Sequence, residues 1–60
     1  MDKNQQLNLL HYRANKLFEH IIRMIEDYPK YIFSDACEYN LKIYFQLLDK
    51  INLLKSHEVV

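Results

Sequence analysis

Apolar residues recur through the first half of the chain at Leu7, Leu10, Ala14, Leu17, Ile21, Met24 and Tyr28, alternately three and four positions apart. That spacing returns to one side of an α-helix every seven residues and makes an unbroken heptad seam. A second seam of the same kind, Cys37, Leu41, Tyr44, Leu48 and Ile51, follows a break that holds the only proline, Pro29. Two seams of similar length joined by a short break predict an all-α fold, an antiparallel two-helix hairpin. The first helix is expected over about 4–28, the joint over 29–34 and the second helix over about 35–55.

Pro29 supplies the stop, because it lacks a backbone donor and disfavours helical geometry at the residue before it. Ser34 and Asp35 supply the restart as good N-cap types, and Asp35 with Glu38 has capping-box spacing. There is no glycine, so neither helix can end on a left-handed glycine cap. Ser56 to Val60 carry no periodicity and are expected to fray. A competing reading takes Lys30–Phe33 and Leu41–Phe45 as short strands rich in aromatic and β-branched residues. The three-four spacing continues through the second of them, which favours helix.

Both helices carry more apolar surface than a hairpin seam uses. His11, Phe18 and Ile25 lie beside the first seam, and Phe45, Leu47 and Leu54 beside the second. A broad stripe is what a helix shows when it touches two neighbours. The hairpin is therefore expected to dimerise into a four-helix bundle, with Phe18, Ile25, Phe45, Leu47 and Leu54 at the dimer interface. Apolar residues beyond the stripe are candidates for binding another protein: Tyr12 and Ile22 on the first helix, Tyr39 and Ile43 on the second. Tyr31 and Phe33 join them, since a reversing joint is ordinarily polar and aromatics are enriched at binding hot spots.

Composition narrows the possibilities. Sixty residues, half of them hydrophobic and 27% charged, fit one small domain spanning 1–60 and argue against disorder. One cysteine, Cys37, allows no internal disulfide and suits a reducing cytoplasm. Cys37 falls on the core stripe, which argues for a structural thiol rather than a nucleophile. The opening Met-Asp-Lys-Asn-Gln-Gln lacks the apolar run of a secretory signal, and no stretch suits a membrane span. His11, His20 and His57 have no close ligand partner on one face, and a phosphate-cradling loop needs glycine. No cofactor, metal or catalytic group is expected.

Eight basic residues balance eight acidic ones, so the whole chain has no net attraction for a phosphate backbone. Arg13, Lys16, His20 and Arg23 do form one basic line on the first helix. Glu19 stands four residues before Arg23, an ion-pair spacing, and Glu26 and Asp27 close the line. A solvated, self-paired face is the expected reading.

In length, heptads and layout the chain is similar, in architecture alone, to the plasmid copy-control RNA-binding hairpins of the Rop type. That similarity implies a nucleic-acid alternative using Arg13, Lys16 and Arg23. Phe45-Gln46-Leu47-Leu48-Asp49 distantly resembles the Ser-Gln-Glu-Leu-Asp stretch of the small sporulation phosphatases of the Spo-zero-E type. It keeps Gln46, Leu48 and Asp49 but has Phe and Leu in place of Ser and Glu. The implied alternative is an acyl-phosphate phosphatase centred on Asp49. The expectation the residues themselves carry is a small cytoplasmic regulator, not an enzyme, whose partners are a second copy of itself and another protein.

Overall fold

The computed structural model describes residues 2–56. Helix α1, Lys3–Asp27, and helix α2, Asp35–Ser56, pack antiparallel, joined by a 3-10 turn over Pro29–Phe33. The described residues contain no strand, so the strand reading of Lys30–Phe33 and Leu41–Phe45 fails. No described helix is long and apolar enough to cross a membrane.

Helix α1 begins on a reciprocal cap. The Asp2 carboxylate accepts the Gln5 N–H at 2.8 Å, while the Gln5 side-chain oxygen accepts the Asp2 N–H at 3.3 Å. Asp2 with Gln5 three residues on is a capping box. The helix ends at Tyr28, whose N–H still reaches the Met24 carbonyl at 2.8 Å. Its backbone then opens to φ −137°, ψ 85°, as a residue before proline must.

The chain reverses without a left-handed residue; no described residue has positive φ. Pro29 starts the 3-10 turn, where its fixed φ suits the first position and its missing N–H costs nothing. The Tyr31 N–H bonds to the Tyr28 carbonyl at 2.8 Å and the Ser34 N–H to the Tyr31 carbonyl at 2.9 Å. Ser34, extended at φ −86°, ψ 156°, is the N-cap of α2. Its Oγ accepts the Cys37 N–H at 3.1 Å and donates to the Tyr31 carbonyl at 2.6 Å.

The expected Asp35–Glu38 capping box is not formed. The first helical bond runs from the Glu38 N–H to the Ser34 carbonyl, which places Asp35 inside the helix. Asp35 and Glu38 instead sit in the first turn and Lys55 in the last, the charge order that the helix dipole favours. Ser56 remains helical, its hydroxyl donating to the Leu53 carbonyl at 2.9 Å. The rest of the tail expected to fray, residues 57–60, lies outside the described residues.

The core follows the two seams. Ala14, Ile21, Cys37 and Ile51 are buried, and Leu7, Leu10, Leu17, Met24, Leu41, Tyr44 and Leu48 are half-buried. Cys37, 0% exposed and a free thiol, fills the first turn of α2, so the core position read from its spacing holds. Tyr28 departs from the pattern. It is exposed because the helix has ended and the opened backbone no longer returns its side chain to the seam. Ile43 departs in the other direction: it is half-buried, not outward, on the flank of α2 that also carries Leu47 and Leu54.

Candidate interaction surfaces

Four buried residues among those described are few, and the apolar surface left over is distributed unevenly. Phe18 of α1 meets Tyr44 of α2 with ring centroids 5.6 Å apart, and Tyr44 meets Phe45 at 5.8 Å. These tilted contacts are favourable ring geometries. They set Phe18 and Phe45 on the same side of the hairpin, where both stay open at 47% and 57% exposed. Ile22, one turn after Phe18, is exposed as well, and Ile25 is half-buried.

Leu47 and Leu54 do not join that face. At about 100° per residue, Phe45 lies about 100° round α2 from Tyr44 in one sense and Leu47 about 60° in the other. The five residues expected at a dimer interface therefore divide between two flanks. Phe18, Ile25 and Phe45 occupy one, and the half-buried Leu47 and Leu54 the other. His11, placed beside the seam from its spacing, is exposed.

The residues proposed for binding another protein scatter similarly. Tyr12 and Tyr39 are exposed on the outer sides of different helices, and Ile22 belongs with Phe18. At the joint, the two aromatics separate. Phe33 is 88% exposed, while Tyr31 is half-buried and its hydroxyl accepts a hydrogen bond from the Asn40 side-chain amide at 2.7 Å. That bond spans the joint and the second turn of α2, so Tyr31 is a brace and Phe33 a free surface. Tyr28 and Ile32, both exposed, extend the surface around Phe33. Tyr31→Phe is expected to remove about 0.5–1.5 kcal/mol of stability, read as a lower thermal midpoint; an unchanged midpoint would remove the brace.

The basic line does not assemble a phosphate-binding site of its own. Lys16 pairs with Glu19 at 3.7 Å and lies 5.7 Å from the centroid of the Tyr12 ring. The Glu19–Arg23 pair expected from spacing is replaced by this Lys16–Glu19 pair, since i,i+3 neighbours meet on a helix as readily as i,i+4 ones. Arg13, His20 and Arg23 are exposed. Asp49 sits in a shallow groove with Asn52, Leu53 and Ser56, and no second carboxylate lines it. No group of three or more His, Cys, Asp or Glu among the described residues could hold a metal ion.

One feature was legible and was not among the expectations: Asp2 with Gln5 has capping-box spacing. Of the two N-cap types expected at the restart, Ser34 is the one that caps α2. The Tyr31–Asn40 bond and the Phe18–Tyr44–Phe45 ring chain had no local signal, since each joins residues from different elements. Compared with known protein families, curated proteins and solved structures, the chain matches none.

Proposed function

We infer that this chain is a small non-enzymatic regulator of the cytoplasm, a helical hairpin that pairs with a second copy into a four-helix bundle and binds another protein. The observation that carries this reading is the balance of burial. Four described residues are buried, whereas ten large hydrophobic residues stay exposed. Exposed apolar residues are ordinary one by one, but contiguous groups of them mark interfaces.

The cluster that best suits a partner protein is the joint, where Tyr28, Ile32 and Phe33 are exposed at one end of the hairpin on a stiff, proline-led turn. Rigid aromatic anchors lose little entropy on binding and supply most of an interface's energy.

The test replaces Ile32 and Phe33 together with Ser. Because Phe33 is 88% and Ile32 53% exposed, the midpoint of unfolding should stay within a few degrees, roughly the effect of a surface change below 1 kcal/mol. Capture from native-host extract at high salt should recover a protein with the wild-type chain and lose it with the double variant. Equal capture by both would move the partner surface elsewhere. Recovery of nucleic acid, lost steeply as salt rises, would overturn the reading, because phosphate contacts weaken in that way.

A further inference from the structure

Phe18 and Ile22 stand one turn apart on α1 and form a ridge. A shallow groove beside it is lined by the same two residues with Glu19, Arg23 and Glu26. Tyr44, in ring contact with both Phe18 and Phe45, carries the apolar surface across to α2. No described element covers this face.

The three charges that line the groove, with Lys16 one turn before Glu19 on the same charged row, follow a rule. Lys16, Glu19, Arg23 and Glu26 alternate in sign at spacings of three, four and three. Positions 19 and 23 are equidistant from Ile21 and opposite in charge, and so are 16 and 26. Reversing the helix about Ile21 therefore exchanges each positive member of this row of four with a negative one. A two-fold axis crossing α1 there brings Glu19 toward Arg23 of the second copy, and Lys16 toward its Glu26, each pair made twice. A parallel copy in register would set like charge against like, and an unrelated helix has no reason to carry the reversed pattern.

Size and shape agree with this. The hairpin is a rod of 44 × 15 × 15 Å exposing 5020 Å². A compact protein of its 7.4 kDa exposes roughly 4200 Å². The excess of about 800 Å² is what each partner of a standard interface buries. Two rods laid side by side along this face remove it.

We propose that the Phe18–Ile22 face of α1 docks a second copy of the chain, antiparallel and in register about Ile21, with Phe45 extending the contact to α2. The proposal rests on the bundle reading above and adds the face and the register. The Lys16–Glu19 pair within one chain is no obstacle, because both side chains are largely exposed, at 60% and 69%, and such pairs contribute little.

The experiment is sedimentation equilibrium on the full chain and two single charge reversals, Glu19→Lys and Arg23→Glu, with circular dichroism to verify helix content. Both sites are exposed, so the variants should fold. Each alone sets like charges together twice and should weaken self-association about tenfold. Mixed in equal amounts, the two should associate nearly as well as wild type. The lysine introduced in one variant then faces the glutamate introduced in the other, and the Arg23 kept by the first faces the Glu19 kept by the second. A role confined to helix stability cannot produce rescue between chains. Wild-type dimerisation with unaffected single variants, or with no rescue on mixing, overturns this face and register and leaves the bundle reading standing. A wild-type chain that stays monomeric at high micromolar concentration overturns both.

Discussion

Replacement of Ile21 by Ala is expected to cost about 2–5 kcal/mol, a loss on the scale of the whole stability of a chain this size, about 3–9 kcal/mol. Ile21 is 3% exposed and lies in the C-terminal third of α1, facing α2. Its truncation leaves a cavity that two rigid helices cannot collapse to fill. Among the described residues only four are buried, so one of them carries a larger share of the total than a core residue of a bigger domain. Ile51→Ala should behave alike, whereas Leu53→Ala, at an exposed position two residues on, should stay within about 0.5 kcal/mol. Urea titration followed by far-UV circular dichroism measures all three. The titrations belong at several protein concentrations, because self-association adds to apparent stability. An Ile21 variant as stable as the Leu53 variant would mean that the seams do not form the core.

Removing the Ser34 hydroxyl is the second large effect. Ser34→Ala loses the acceptor for the Cys37 N–H and the donor to the Tyr31 carbonyl, and so loosens both the start of α2 and the end of the 3-10 turn. The expected cost is about 1–2 kcal/mol. Asp35→Ala removes a first-turn charge but no cap bond, and about 0.3–1 kcal/mol is expected from the dipole alone. Comparable losses at both positions would mean that the cap is shared between them. The comparison has practical weight because the two residues are adjacent and are both good caps, so their identities do not say which one caps the helix.

Spacing carried much of the fold because a helical hairpin is nearly a one-dimensional object. Each seam is a property of one helix, Pro29 stops α1 by its own covalent geometry, and a small-residue cap restarts the chain within six positions. Within α1, the reading erred where spacing left a local choice open. Tyr28 kept the seam's spacing but lost its geometry when the backbone opened before Pro29. Glu19 had two cations within reach, Lys16 and Arg23, and the helix brought the first of them to it.

The candidate surfaces were less legible for the same reason. Composition and periodicity counted more apolar side chains than one seam can hide, and that conclusion needed no coordinates. Which side of the hairpin each one faces depends on how α1 and α2 are rotated against one another. That rotation is set by packing between residues far apart in sequence. It placed Phe18 against Tyr44, on the flank that carries Phe45; that Leu47 and Leu54 lie on the other flank of α2 follows from the helical period alone. The packing of the joint on α2, in turn, made Tyr31 a brace through Asn40 while Phe33 stayed in water. The amino-acid sequence by itself determined two helices, their seams and the joint, since these follow from local spacing and backbone chemistry. Only the tertiary structure decided which surplus residues share a surface, because that is a relation between helices and no single helix encodes it.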